Sequence, residues 1–393
     1  MNSYTYPIHI ALIVFPFLAL VITIPILLYY YHKYGTLGKL RSLVLYSFVF
    51  YLISAYFLVI LPLPSINEVA EMTGPTYQLH LGESLQNFLS QTVLRINQPD
   101  TYLPALRQSV FLEPVFNIFL VFPFGIYGRY YFRFSWKKTI FLSFCLSLFF
   151  ELTQLSGLYF IYPRPYRLFD VNDLLHNTLG GALGYFCAPL FTFFLPTRSE
   201  LDHESFEKGK QVTLLRRAAA AIVDWFLLDL FQTVFNITAV YVPELRNSDL
   251  LTGDIGEVTS NLLKIVLYFM IGSYLMHGQT LGKKLVKIKV EEIGKPRVQL
   301  WALVKRYSAF YLLLFVTSQI FQFSWSQLVN TTNHRLFIAY MTFGLISLGI
   351  LLLFTFNLLY ALIRRKHRLF HEKVSHTYTV STVKEKEVKH ADI

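Results

Sequence analysis

Nine long apolar runs follow one another along the chain, and no other feature constrains its fold as strongly. They lie near Ile8–Tyr31, Leu43–Pro62, Phe111–Tyr127, Lys138–Phe160, Val171–Leu195, Ala218–Val242, Val258–Met276, Tyr307–Phe323 and Leu336–Ile363. A helix needs about 20 mainly apolar residues to cross a bilayer. The pattern predicts an all-α, polytopic transmembrane helical bundle of about nine spans. Composition agrees: 54% of residues are hydrophobic and 15% charged, against about 25% charged in a soluble domain. The 37 Phe and 26 Tyr suit helix packing and the headgroup level. Met1–Pro7 holds no Lys or Arg, so the first run reads as a retained span rather than a cleaved signal.

The loops carry the orientation signal, because Lys and Arg concentrate in short cytoplasmic loops. Lys33, Lys39 and Arg41 form one basic loop, and Arg129, Arg133, Lys137 and Lys138 a second. Residues 278–306 carry eight Lys or Arg, and Arg364, Arg365, Lys366 and Arg368 open the C-terminal tail. Between them lie acidic or neutral loops, Leu63–Val110 and Pro243–Glu257. The alternation predicts a multi-pass cell-membrane protein with its N-terminus outside and C-terminus cytoplasmic, hence an odd number of spans. The net charge of +11 is explained by basic loops facing anionic lipid. No nucleic-acid motif accompanies it. Cys145 and Cys187 lie inside apolar runs, and no disulfide framework or zinc spacing is present.

Composition breaks at residues 196–212, which are polar and show no periodicity. They read as a cytoplasmic linker between a membrane module at 1–195 and another at 213–382, with a polar tail at 383–393. The first module places polar groups where lipid should be. Asn117 lies in span three. Glu151 and Gln154 share a face of span four with Ser143 and Ser147. An outer loop supplies Arg164, Arg167 and Asp170, and span five opens with Asp173, His176 and Asn177. Asp173, Asn177, Gly181 and Gly184 fall on one helix face, where glycine lets a second backbone approach closely. Ionisable groups inside spans persist when paired or functional. Arg167 could pair with Glu151, Asp170 or Asp173, so the cluster is either an ionic lock for helix packing or a pocket open to the outer leaflet. Metal binding by Glu151, Asp170, Asp173 and His176 lacks a tight motif, and no metal is assigned. The cofactor is unknown.

The run N-x4-F-P-F-G ending at Gly125, E-x2-Q at Glu151 and Gln154, and R-x2-D-x2-D-x3-N-x2-G from Arg167 to Gly180 together resemble the VanZ-like domain over roughly residues 40–195. The resemblance implies motif positions at Asn117, Glu151, Gln154, Arg167, Asp170, Asp173 and Asn177. One member of that family is associated with low-level teicoplanin resistance.

In the second module, Arg217 and Asp224 lie two turns apart on one face of span six. Val286, Ile288 and Val290 alternate with Lys287 and Lys289, a strand period. With EEIGKP as its turn, the segment predicts a short basic cytoplasmic β-hairpin. Arg217, Asp224, TLGKKLVKIKV, Arg306 and FHEKVSHTYTV resemble the RDD family over roughly residues 213–382. Glu372 stands where that family has Asp. Some relatives are linked by that resemblance to sodium–proton exchange.

Three functions fit. The first is an envelope protein that binds or processes a lipid-linked outer-leaflet substrate, such as a cell-wall precursor or lipoglycopeptide. Glu151 and Asp173 are then its candidate catalytic groups, with Asn117, Gln154, Arg167, Asp170, His176 and Asn177 contacting substrate. The second is an ion or proton transporter carried by Asp224, and the third a non-catalytic membrane scaffold. Membrane lipids are partners in all three. No nucleophilic Ser or Cys motif accompanies the carboxylates, so an enzyme is not assigned.

Overall fold

The computed structural model describes residues 5–241, 253–364 and 368–384. Residues 242–252 of the acidic loop and sixth-span end, Arg365 and Lys366 of the basic tail, and the polar tail from residue 385 lie outside the described residues. Eight of the described helices are long and apolar enough to cross a membrane. The one remaining expected span, the fifth, also forms one 22-residue helix, Val171–Thr192. Asn172, Asp173, His176 and Asn177 make its first turns polar, which sets it apart from the other eight. Contacts divide the chain into two compact units, Met1–Ile24 with Gly38–Leu201, and Pro25–Leu37 with Asp202–Ile393.

The first unit contains most of α1 (Thr5–Tyr34) and all of α2 (Lys39–Ile60). The connection from Leu63 to Val110 is built from α3 (Ile66–Glu71), β1 (Tyr77–Gln78), α4 (Glu83–Gln91) and α5 (Tyr102–Leu106). Ser65 and Glu68 cap α3 reciprocally, which satisfies free N–H groups in its first turn. Then follow α6 (Ser109–Tyr130), α7 (Trp136–Leu155), the short α8 (Gly157–Phe160), β2 (Phe169–Asp170) and α9 (Val171–Thr192). β1 pairs in parallel with β2, Gln78 opposite Asp170.

Helix α9 packs against both α6 and α7, and its glycines are divided between them. A Cβ on Gly180 or Gly184 would run into the backbone carbonyls of Ile118 and Phe122 on α6. A Cβ on Gly181 would strike Ser143 Oγ on α7. Small residues are the usual means of bringing helix backbones this close in a bilayer.

Residues 198–209 form a helix, α10 (Arg198–Gly209), where the sequence shows no apolar period. Its start is capped locally: Thr197 and Glu200 bond each other's backbone N–H groups, at 2.8 and 3.3 Å. Packing does the rest, since Leu201, Asp202, Ser205 and Phe206 form a buried face in which two of the four residues are polar, and that mixture hides the apolar period.

The second unit continues with α11 (Leu214–Val240) and α12 (Gly253–Leu263), the latter extended by a π-helical stretch, Lys264–Gly272, into α13 (Ser273–Leu275). α14 (Leu281–Leu285) leads to β3 (Ile288–Glu292), and α15 (Leu300–Tyr307) passes through a second π-helical turn, Ser308–Leu312, into α16 (Leu313–Asn330). α17 (His334–Ile363), α18 (Phe370–Val374) and β4 (Thr377–Ser381) complete it.

The strand expected from the Val–Lys alternation is present as β3, but its partner is not local. β3 pairs antiparallel with β4, Val290 opposite Thr379. The turn after Glu292 leads on to α15. The inward positions of both strands, Ile288, Val290, Thr377 and Thr379, are buried, so each strand needs the other to close its polar backbone. Gly278, at φ +87°, sits so close to Val290 O that a Cβ would collide with it, and its own carbonyl accepts Val290 N at 2.9 Å.

Candidate functional site

In the first unit, α2, α4, α6, α7 and α9 surround a cavity of about 690 Å³. Its wall includes Asn117, Glu151, Gln154, Arg167, Asp170, Asp173 and Asn177. Seven of the eight residues singled out in this unit therefore converge on one space. Asp170 caps the start of α9, its Oδ1 accepting Asn172 N at 2.7 Å. That cap aims Asp173 at α6, where Asn117 Nδ2 donates to Asp173 Oδ1 at 2.5 Å. Glu151, 3% exposed, accepts the backbone N–H of Asp170 at 3.0 Å. Asn177 Nδ2 donates to Ser147 Oγ at 2.9 Å.

Arg167 takes neither Glu151, Asp170 nor Asp173 as an ion-pair partner. Its guanidinium donates to the backbone carbonyls of Val59 at 2.7 Å and Leu61 at 3.1 Å, at the end of α2. Gln154 also donates to Val59 O, at 3.1 Å. The last carbonyls of a helix lack intrahelical donors and carry partial negative charge, which suits a guanidinium. Arg164 likewise donates to Met72 O and Gly74 O. His176 does not line the cavity; its Nδ1 is buried without a hydrogen-bond partner among the described residues. Among those residues no group of three or more His, Cys, Asp or Glu is placed to hold a metal.

Some wall residues escaped the sequence reading. Glu113 lines the cavity from the first turns of α6, and Ser84 and Asn87 from α4. Asn172 accepts Gly82 N at 2.8 Å and donates to His80 O at 3.1 Å, tying the 63–110 connection to the start of α9. Glu113 had a visible signal, a carboxyl at the edge of an apolar run. Ser84 and Asn87 had none, because their positions depend on how the connection folds back.

The RDD-motif residues of the second unit form two clusters. Arg217 and Asp224 do not pair. Arg217 donates to Glu372 Oε2 at 2.8 Å and Arg306 to Oε1 at 2.9 Å. Leu369 N and Thr379 Oγ1 complete the shell of Glu372 at 3.0 and 2.9 Å. Burial pushes the Glu372 carboxyl up, but Arg306 and Arg217 outweigh it and bring its pKa down to about 2. Burial, then Arg306, lowers neighbouring His371 to about 3, so its ring is neutral.

Asp224, 1% exposed, is met by donors rather than a cation. Thr280 Oγ1 lies 2.5 Å away, Tyr268 Oη 2.6 Å and Gly282 N 2.6 Å. These bonds fasten the start of α14 onto α11. Arg216, the neighbour of Arg217, also turns inward. Fully buried, it donates to Val286 O, Gly209 O and Lys287 O at 2.7–2.8 Å and to Ser381 Oγ. The adjacent Arg216–Arg217 pair does not tell from sequence that both side chains turn inward.

Eight membrane-length apolar helices, with buried ionic clusters and a carboxylate-walled cavity among the polar helix ends, make this a multi-pass α-helical membrane protein of the envelope type. The VanZ/LLP1 family model matches residues 48–195 and the RDD family model matches residues 212–376. The chain thus carries a VanZ-like domain followed by an RDD-family domain. No curated protein and no solved structure matches it.

Proposed function

We propose that the VanZ-like unit binds the polar part of a lipid-linked substrate in the outer leaflet, using the cavity around Glu151 and Asp173. The observation that carries this reading is the convergence of four carboxylates, Glu113, Glu151, Asp170 and Asp173, on a single space whose one guanidinium is engaged by backbone carbonyls. A wall with that excess of acceptors favours sugar hydroxyls and amines over phosphate. Phe116, Phe119 and Leu58 on the same wall suit the apolar part of an amphiphile. A lipid-linked cell-wall precursor or a lipoglycopeptide offers both chemistries. Within hydrogen-bond reach of a bound hydroxyl, Glu151 or Asp173 would act as proton acceptor, but the reading rests on binding alone.

The alternation of basic and acidic loops supports an external N-terminus and a cytoplasmic C-terminus. That arrangement needs an odd number of crossings, so α9 crosses too, carrying its polar first turns at the outer side. Transport by Asp224 has less support, since Thr280, Tyr268 and Gly282 already occupy its oxygens.

The test is protection of a sensitive bacterial host against teicoplanin by the whole protein and by Glu151→Gln. Wild-type protein should raise the inhibitory concentration, and Glu151→Gln, expressed to the same level, should return it to that of the empty vector. Equal protection by both would overturn the assigned site. Absence of protection by the wild type would remove the glycopeptide link.

A further inference from the structure

The second unit contains a cavity of its own, about 440 Å³ in volume, lined by residues of α11, α14, α15 and α17 and of the C-terminal segment. That volume falls within the roughly 300–1,000 Å³ of ordinary ligand sites. Most of the wall is hydrocarbon. Ala218 and Ile222 come from α11 and Leu359 and Leu362 from α17, and Ile222, Leu359 and Leu362 are between 47 and 64% exposed. One end is different in kind. Lys283, Arg217, Arg306 and Asp224 all border the space there.

Lys283, Arg217 and Arg306 are the cations on this wall. Glu372 answers both arginines, and the Asp224 oxygens are taken by Thr280, Tyr268 and Gly282. Among the described residues, Lys283 has no carboxylate as an ion-pair partner. Its Nζ donates to Tyr307 Oη at 2.6 Å and lies 5.0 Å from the centroid of the same ring. A phenol and a π-face stabilise an ammonium less than a counter-ion does. His371 borders the same space and, being neutral, adds no charge. An uncompensated cation against hydrocarbon is costly unless an anion joins it.

We propose that this cavity is a binding site for an anionic phospholipid, with an acyl chain between α11 and α17 and the phosphodiester against Lys283. A phosphodiester carries a single negative charge and would give Lys283 the counter-ion that the Tyr307 phenol does not. The lipid surroundings of a membrane helix supply such a molecule at high local concentration. The proposal concerns the RDD-family unit alone and stands apart from the first-unit cavity.

Native mass spectrometry of the full-length protein in detergent, titrated with phosphatidylglycerol or with phosphatidylcholine, tests it. Phosphatidylglycerol should bind at least about tenfold more tightly, since one charge interaction of 1.4 kcal/mol is tenfold in affinity. Lys283→Met should abolish that preference, and Lys283→Arg should restore it. Ile222→Trp, which fills the apolar end and leaves every charge in place, should weaken binding of the lipid. Glycerol 1-phosphate at millimolar concentration should not displace it, because the acyl chain is part of the fit. Equal affinity for the two lipids, an unchanged preference in Lys283→Met, or displacement by glycerol phosphate would each overturn the proposal. Circular dichroism and the unaltered Lys283→Arg protein separate lost binding from lost folding.

Discussion

Asn117 on α6 donates an amide hydrogen to Asp173 Oδ1 on α9 at 2.5 Å, and so fixes a carboxylate on the wall of the first-unit cavity. Leaving a buried polar partner unsatisfied costs about 1–3 kcal/mol. We expect Asn117→Ala to lower stability by about 2 kcal/mol in detergent-solubilised protein. Asp173→Asn should cost less, because an amide oxygen still accepts. In a double-mutant cycle read by thermal unfolding, the two changes should couple by at least about 1 kcal/mol. Simple additivity would show that the bond holds nothing in place.

Glu372 stands between Arg217 and Arg306 in the second unit. Removing one member of a buried ion cluster leaves the rest uncompensated, at a cost of about 3–5 kcal/mol. Glu372→Gln should therefore unfold the RDD-family unit at a markedly lower temperature. Glu372→Asp keeps the charge but reaches less far, and should fall between the two. A loss of under about 1 kcal/mol in Glu372→Gln would contradict this.

The same residue predicts a pH dependence. Its pKa is lowered from 4.5 to about 2 in the folded protein, so the folded state binds fewer protons than the unfolded state between those values. The stabilisation is fully present above pH 4.5 and is lost as pH falls toward 2. Thermal unfolding measured from pH 7 to pH 3 should show a steeper decline below pH 4.5 in wild type than in Glu372→Gln. Parallel profiles would rule out the assignment.

The glycines of α9 make a steric prediction. Gly184→Ala places a methyl group against the backbone carbonyl of Phe122, which cannot rotate away. Overpacking costs about 1–3 kcal/mol, occasionally more. Gly349→Ala on α17 meets nothing within 4 Å and should be neutral or stabilising, because alanine suits a helix better by about 0.5–1 kcal/mol. The order of the two unfolding temperatures decides the matter.

Removal of the second strand should be far more damaging than its position near the C-terminus suggests. β4 supplies Thr379 to Arg306 and Glu372, and Ser381 to Arg216. A chain ending at His376 should lose protease resistance throughout residues 202–241 and 253–364, while one ending at Lys384 keeps it. Equal resistance would mean that β3 is closed by other means.

Several features were readable residue by residue. The apolar runs near Ile8 and Leu336 became α1 and α17 because hydrocarbon length and composition alone decide such helices. The E-x2-Q pair put Glu151 and Gln154 on one face for the same local reason. The sequence also supports, through Thr197 and Glu200, a helix that an apolar-period reading passes over. Partner choice was different. Arg167 faced three candidate carboxylates and took two carbonyls, since the end of α2 offers acceptors that no spacing rule reveals. Lys287–Lys289 alternation announced a strand, but not that its mate lay beyond α17.

By itself, the sequence determined that this chain is a bundle of membrane-spanning helices in two family domains, because length, hydropathy and local spacing are properties of neighbours along the chain. Only the tertiary structure decided that Asn117 meets Asp173, that Glu372 gathers Arg217 and Arg306, and that β3 closes on β4. Those pairings join residues 56 to 155 positions apart, and they depend on which helix faces come together once packing excludes the alternatives.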